Sequence, residues 1–158
     1  MKPRTIVSSI AAPVAAAALG SVATSTGMKS LWYRTLRKPS IQPPGPVFPV
    51  VWTGLYASTA WASADAQSRM TPDEASAYRR RLAVNMALNA GWCWSFFRGH
   101  RLVPSIAVAG ALATSSADLA RTAGGASKRA GWALVPYTAW TTFATVLTTA
   151  IWRENRNR

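Results

Sequence analysis

The stretch that decides the fold is WYRTLRKPSIQPPGPVFPVVW, residues 32–52. Five prolines fall within residues 39–49, where each fixes φ, removes a backbone donor and pushes the preceding residue toward extended geometry. The stretch is therefore expected to be neither a helix nor a central strand. Because it is also rich in aromatic residues and ends in an apolar run, we predict a stiff cap that lies over an apolar part of the molecule and leads into a membrane helix.

Five apolar stretches cover most of the chain, at residues 5–26, 47–67, 82–97, 102–121 and 131–152. Each is about long enough to cross a hydrocarbon core of roughly 30 Å. Nearly every Lys and Arg falls between them, whereas a soluble helix usually shows a charged face. The pattern favours an all-α integral membrane bundle of five transmembrane helices over a soluble bundle with buried helices. The length predicts a single domain, 1–158.

The composition agrees with a bilayer as the main surroundings of the chain. Charged residues make up 15%, against about 25% in soluble domains, and eight tryptophans suit a membrane–water boundary or an aromatic pocket. The net charge of +13 invites a nucleic-acid interpretation, but the charges form short clusters beside apolar runs, as juxtamembrane Lys and Arg do. We therefore expect no nucleic-acid partner. The single cysteine, Cys93, permits no disulfide within the chain and no zinc motif.

The first stretch allows two interpretations. Met1 to Arg4 followed by an Ala-rich run resembles a signal peptide, whereas the small residues Ala17, Gly20 and Ser21 equally suit close packing inside a bundle. The residues alone leave these two alternatives open.

Before the third stretch, Thr71 followed by Pro72 and two acids predicts a helix start that extends this helix backwards. The segment Gly124-Gly125-Ala126-Ser127 is expected to break the chain before the last helix.

Polar and aromatic side chains share one face in three of the stretches. These faces comprise Trp52 and Tyr56 in the second stretch, Asn85 and Asn89 in the third, and Tyr137, Trp140, Ala144 and Leu147 in the fifth. A buried amide in a membrane helix needs a partner or a water-lined cavity, so such groups are candidates for function. The alternatives are that the two asparagines only hold helices together and that the aromatic rows are core.

Small residues recur at every fourth position of the third stretch, at Ala83, Ala87, Gly91 and Ser95. We call this set the small-residue ridge. Such a ridge lets another helix approach closely, which we expect to serve a homodimer, with packing inside the chain as the alternative.

The sequence offers little machinery for catalysis or metal binding. The one histidine, His100, lies in a turn among arginines, and no nucleophile–base arrangement can be built around it. The five acids are scattered. We therefore predict no catalytic residue and no metal site, and haem ligation by His100 is disfavoured because the turn should lie at the interface.

Several motifs, in order and spacing, resemble the TspO/MBR family of membrane proteins. In the cap and second stretch these are Trp32-Tyr33, Leu36, Lys38-Pro39, Pro43-Pro44, Phe48-Pro49, Val51-Trp52 and Leu55-Tyr56. In the third and fifth stretches they are Ala87-Leu88-Asn89, Phe96-Phe97, Val135-Pro136-Tyr137, Trp140, Phe143-Ala144-Thr145 and Ile151-Trp152-Arg153-Glu154-Asn155. The resemblance covers roughly residues 10–155.

The resemblance implies a five-helix bundle whose pocket lies between the helices and is closed by the loop after the first helix. It implies that the first stretch is a retained helix and that the third helix forms a homodimer, and we expect the plasma membrane of a bacterium. The family binds porphyrins such as protoporphyrin IX, sterols, and isoquinoline or benzodiazepine drugs, so a porphyrin is expected as ligand and no cofactor is required. The ligand-binding candidates are Tyr33, Trp52, Tyr56, Asn89, Tyr137, Trp140 and Ala144.

Two further expectations concern the ligand. The anionic propionates of a porphyrin could pair with Arg34, Arg37 or Lys38 of the cap. Thr149 stands where the family's sterol pattern has a tyrosine, which makes sterol binding doubtful, although that pattern is weak even when intact.

Three functions from different classes fit the residues and the resemblance. The first is a membrane receptor or carrier for a tetrapyrrole, with a sensory or transport role in porphyrin homeostasis or stress. The second is an enzyme that degrades porphyrin with light and oxygen and uses Trp52 and Trp140, which match the family's tryptophans associated with that breakdown. The third is a structural or regulatory membrane protein that acts through the small-residue ridge or the basic tail.

Overall fold

The structure is a computed structural model that describes residues 3–157. Over this range the chain forms five long helices and one short helix, with no strand. The helices are α1 (Pro3–Met28), α2 (Leu31–Thr35), α3 (Val47–Gln67), α4 (Pro72–Cys93), α5 (Leu102–Ala126) and α6 (Lys128–Asn155). A π-helical turn, Trp94–Arg98, continues α4. Met1, Lys2 and Arg158, which belong to the predicted domain, lie outside the described residues.

The five long helices match the five apolar stretches, and α3 has the predicted bounds. The predicted helix start at Thr71 is confirmed by a reciprocal capping box. The Thr71 Oγ1 accepts from the Glu74 backbone N–H at 3.3 Å, and the Glu74 carboxylate accepts from the Thr71 N–H at 2.8 Å. Because of this cap, α4 begins ten residues before the predicted stretch 82–97, with Pro72 in its first turn.

The cap differs from the expectation at its start. The prediction that the whole stretch from residue 32 avoids helix is wrong, because Leu31–Thr35 forms a helical turn. The prolines begin only at residue 39, and Ser30 supplies an N-cap by accepting from the Tyr33 N–H at 3.2 Å. From residue 36 to residue 46 the chain is not helical, as the prolines require.

The junction of α5 and α6 lies within the segment predicted to break the chain. The break falls at Ser127, which has extended backbone, and α5 runs through Gly124 and Gly125 to Ala126. Glycine permits close approach of the two helices. A Cβ at Gly131 would lie 2.6 Å from the Gly124 Cα, so Gly131 has no room for a side chain in this packing, whereas a Cβ at Gly124 would make an ordinary contact at 3.6 Å.

The outside of the bundle presents many apolar side chains, and its interior holds polar side chains among the apolar ones. Side chains more than half exposed include Val14, Val22, Val103 and Val146. Fully or almost fully buried polar side chains include Thr59, Ser63, Asn85, Asn89, Ser105, Ser116, Thr141 and Thr148. Such a distribution suits lipid, in which a polar group must find its partner inside the protein.

Exposed tryptophans lie near both ends of the bundle. Trp61 and Trp132 are near one end, and Trp94 is near the other, where the cap lies. The guanidinium of Arg129 lies 5.8 Å from the Trp61 ring centre and that of Arg98 lies 5.6 Å from the Trp94 ring centre. Indole rings beside basic groups are typical of the two membrane–water interfaces.

Two of the helices are apolar and long enough to cross a membrane by composition and length alone. These are the segment Ser9–Met28 of α1 and the whole of α5. For α3, α4 and α6 the crossing of the membrane stays a prediction.

Candidate ligand-binding site

A cavity of about 310 Å³ lies between α1 and α3 and reaches α4 at Cys93. The first helix lines it mainly with small side chains, and α3 lines it with Trp52 and Tyr56. Its wall comprises Ala17, Gly20, Ser21, Thr24, Ser25, Met28, Pro49, Trp52, Thr53, Tyr56 and Cys93. Gly20 keeps the cavity open next to Cys93, because a Cβ there would lie 3.3 Å from the Cys93 Sγ. The cavity is therefore a mainly apolar slot with two aromatic rings on one side.

Trp52 joins this cavity to a cluster of aromatic rings from three helices. Its ring stacks on Tyr56 at a centroid distance of 5.5 Å. It also lies 6.4 Å from both Trp92 and Trp140, with the Trp140 ring perpendicular to it. Phe48, at the start of α3, covers Trp140 from the side of the cap at 5.9 Å. The structure thus brings Trp52 of α3 and Trp140 of α6, which are both partly buried, face to edge.

A chain of buried hydrogen bonds starts at Tyr56 and crosses the bundle. The Tyr56 hydroxyl donates to the Asn89 Oδ1 at 2.8 Å, and the Asn89 amide donates to the Tyr137 hydroxyl at 3.2 Å. Tyr137 donates to the Asn85 Oδ1 at 2.7 Å. The Asn85 amide then donates to the hydroxyls of Ser115 and Ser116 on α5, both at 3.1 Å. We call this set the polar chain; it ties α3, α4, α5 and α6 together.

The cap is docked by aromatic contacts on the end of α4. Tyr33 lies 5.6 Å from Phe97, and Trp32 stacks on His100 at 4.4 Å. His100 has a φ of 53°, a left-handed conformation that closes the turn after the π-helical segment. Burial raises the pKa of the Tyr33 hydroxyl, which accepts from the Gln42 amide at 3.2 Å. These contacts hold the cap on the bundle.

The basic candidates of the cap lie near its surface. The Lys38 ammonium donates to the backbone oxygens of Tyr33 and Leu36, at 2.8 Å and 3.2 Å, and lies 4.6 Å from the Tyr33 ring centre. The side chains of Arg34 and Arg37 are exposed. None of the three lines the cavity.

The predicted site residues therefore fall into two groups. Trp52 and Tyr56 line the cavity, and Asn89, Tyr137 and Trp140 contact them directly. Ala144 is buried in a cluster with Trp92 and Cys93, against which Trp52 packs. Tyr33 belongs to the cap contacts and does not line the cavity.

Sequence reasoning missed the contribution of α1 and of Cys93 to the cavity wall. Ala17, Gly20 and Ser21 signalled close packing, and at Gly20 this is true, but the same small residues also leave space beside Trp52. The recurrence of small residues opposite an aromatic face was the signal that could have found this wall.

The small-residue ridge lies mostly on the outside of the bundle. Ala83, Ala87 and Gly91 are exposed, whereas Ser95 is half-buried and its Oγ accepts from the Ser105 hydroxyl at 3.0 Å. Three of the four ridge residues are therefore accessible to another helix.

Comparison with known proteins identifies the class. The family model described as TspO/MBR family matches residues 9–153. The tryptophan-rich sensory protein of Cereibacter sphaeroides is 32% identical over 144 residues, which cover 90% of this chain and 89% of the relative. Protein CrtK of Rhodobacter capsulatus is 32% identical over 125 residues, 78% of each chain. The human translocator protein is 31% identical over 135 residues, 78% of this chain and 75% of the relative.

The chain belongs to the TspO/MBR family. It is accordingly a helical membrane protein, and its relatives carry sensory and translocator names.

Proposed function

We propose that this protein is a membrane receptor or carrier that binds a flat hydrophobic tetrapyrrole, such as protoporphyrin IX, between its helices. The observation that carries the proposal is the cavity beside Trp52 and Tyr56, which adjoins the Trp140 ring across the Trp52 indole. A porphyrin has a wide apolar face that stacks on indole and phenol rings. A sensory or transport role in porphyrin homeostasis or stress follows from this binding and from the names of the relatives.

The size of the cavity sets a condition on this binding. Ligand pockets usually measure about 300–1,000 Å³, and 310 Å³ lies at the lower end. A tetrapyrrole therefore enters only if the Trp52 and Tyr56 rings or the cap move. The basic residues Arg34, Arg37 and Lys38 stand at the cap, where they would meet the propionates of a ring that lies beneath it.

Protoporphyrin IX titration of the purified protein in detergent tests the proposal. Trp52→Ala is expected to weaken binding by roughly tenfold, since an aromatic contact contributes up to about 1.5 kcal/mol beyond its buried area. Trp140→Ala is expected to weaken it less, because Trp140 contacts Trp52 and does not line the cavity. Trp132→Ala is the matched control, because this indole is 75% exposed near one end of the bundle. Equal affinity of all three variants and the parent protein would refute the pocket.

A second candidate function, porphyrin degradation driven by light and oxygen, is favoured by the 6.4 Å separation of Trp52 and Trp140. An indole beside the photoexcited ring is placed to donate an electron to it, and dioxygen is the terminal oxidant. Illumination in air should then bleach the porphyrin in the parent protein and spare it in Trp52→Phe, which keeps an aromatic face. Unaltered pigment in the parent protein would leave binding as the only activity.

We also propose that the small-residue ridge forms a homodimer. Support comes from the exposure of Ala83, Ala87 and Gly91 on α4, next to apolar Val84. Gly91→Leu is expected to shift the protein to the monomer in cross-linking and light-scattering experiments. Gly54→Leu is the control, since nothing lies within 4 Å of a Cβ at that position.

A further inference from the structure

A second site lies on the outside of the bundle, away from the tetrapyrrole cavity. It is a cleft of about 800 Å³ between α4 and α5. Its lining is Ala77, Arg80, Arg81, Val84, Ala111, Thr114, Ser115 and Asp118. We propose that this cleft binds one anionic phospholipid of the surrounding bilayer, with the phosphate held at Arg80 and Arg81.

The charge of the cleft favours an anion. Asp118 has both carboxylate oxygens occupied, one by Arg81 and the other by Arg121 at 2.8 Å. Arg80 takes part in none of the ion pairs found among residues 3–157. Among the residues that line the cleft, the guanidinium groups of Arg80 and Arg81 stand beside the single carboxylate of Asp118, which leaves a surplus of one positive charge. Guanidinium groups bind phosphate with paired, charge-assisted hydrogen bonds.

The order of the lining residues follows the order of groups in a phospholipid. Because α4 and α5 are antiparallel, Arg81 faces Asp118 at the water end, and Val84 and Ala111 lie farther toward the middle of the bundle. Along the bundle axis, Ser115 lies between the Arg81–Asp118 pair at the water end and the apolar residues Val84 and Ala111. Its hydroxyl oxygen accepts from Asn85, and its own hydrogen finds no acceptor among the described residues, so it is available to a glycerol ester.

The apolar end of the cleft continues along the outside of α4. Below Val84, which is 58% exposed, the same side of the helix presents Ala87 and Gly91. A Cβ at Gly91 would just reach Val108 of α5 at 3.9 Å, so the surface between the two helices stays shallow and apolar. This strip accommodates an acyl chain, which a free phosphate would leave uncovered. Because Ala87 and Gly91 also belong to the small-residue ridge, the acyl chain and the proposed dimer partner compete for this part of the strip.

Native mass spectrometry of the detergent-purified protein tests the assignment with phosphatidylglycerol and phosphatidylcholine of identical acyl chains. The parent protein is expected to prefer phosphatidylglycerol. Arg80→Gln should reduce that preference about fivefold, because one basic group near the surface contributes about 1 kcal/mol. Arg153→Gln is the matched control, since it removes the same charge from an exposed position near the cap end.

Two further measurements test whether the acyl chain contributes to binding and whether phosphate alone is bound. Ala111→Phe fills the apolar end without changing the charge, and it should weaken the binding of phosphatidylglycerol. Inorganic phosphate should not displace the lipid at the same concentration. Equal binding of both lipids by the parent protein, an equal loss in Arg153→Gln, or displacement by inorganic phosphate would each overturn the proposal.

Discussion

The side-chain amide of Asn155, at the end of α6, makes two hydrogen bonds to the backbone of Arg37 in the cap. The Arg37 N–H donates to the Asn155 Oδ1 at 3.0 Å, and the Asn155 Nδ2 donates to the Arg37 carbonyl at 2.9 Å. The same amide nitrogen also donates to the Ile151 carbonyl at 2.8 Å, which fixes its orientation on the helix. The cap is thus held at its middle by the far end of the chain.

Asn155→Ala should loosen the cap without unfolding the bundle. Each hydrogen bond contributes about 1 kcal/mol, and the cap keeps its aromatic contacts on Phe97 and His100. Amide hydrogen exchange over residues 36–46 is therefore expected to quicken, while exchange in the helices stays the same. Asn157→Ala removes an exposed asparagine two residues away and is the control. Unchanged exchange in the cap of Asn155→Ala would show that the aromatic contacts alone hold it.

Tyr137→Phe should destabilise the bundle more than Tyr56→Phe does. Tyr137 occupies the middle of the polar chain, so its hydroxyl serves both Asn85 and Asn89, whereas the Tyr56 hydroxyl serves only Asn89. Loss of a partner from a buried polar group costs about 1–3 kcal/mol, and Tyr137→Phe leaves two such groups. The melting temperatures of the two variants, measured by thermal unfolding in detergent, show which variant is less stable. Equal stability of the two variants would mean that the asparagines find other partners.

The polar chain shows which part of the site the sequence could predict. The four-residue spacing of Asn85 and Asn89 places both amides on one face, and a membrane helix requires that each finds a partner. The hydrogen bonds show that both asparagines join helices, and the ligand-binding role of Asn89 stays a prediction. The partners Tyr137 and Ser116 could not be predicted, because they depend on how α5 and α6 rotate against α4.

Local signals predicted the helices, whereas contacts between distant residues escaped prediction. The bounds of α3 follow from the prolines before it and the polar residues after it, and the start of α4 follows from the Thr71 capping box. The bond from the Gly99 N–H to the Trp94 carbonyl closes the π-helical turn, and the bond from the Arg101 N–H to the Ser95 carbonyl closes the turn that follows it. The helix propensities of the residues do not predict these bonds, because the bonds form only when the chain turns toward α5.

Gly131→Ala should destabilise the protein, whereas Gly110→Ala should not. A Cβ at Gly131 would lie 2.6 Å from the Gly124 Cα and 3.1 Å from the Ala120 carbonyl oxygen, and backbone atoms cannot move aside as a flexible side chain can. Overpacking of this kind costs about 1–3 kcal/mol. At Gly110 nothing lies within 4 Å, so alanine there should stabilise α5 by about 0.5–1 kcal/mol. Thermal unfolding of the two variants decides, and similar melting temperatures would contradict the close contact.

The capping box at the start of α4 should make stability depend on pH in the acid range. The hydrogen bonds from Thr71 lower the pKa of the Glu74 carboxyl below its ordinary value of 4.5. Since the folded state binds this proton less readily than the unfolded state, the contribution of Glu74 is fully present above that ordinary value and is lost as the pH falls through the folded pKa. Glu74→Gln cannot titrate, so its stability deficit relative to the parent protein should shrink as the pH is lowered below 4.5. Thermal unfolding across this pH range measures the difference in stability between Glu74→Gln and the parent protein. A difference that does not change with pH would show that the titration of Glu74 does not affect stability.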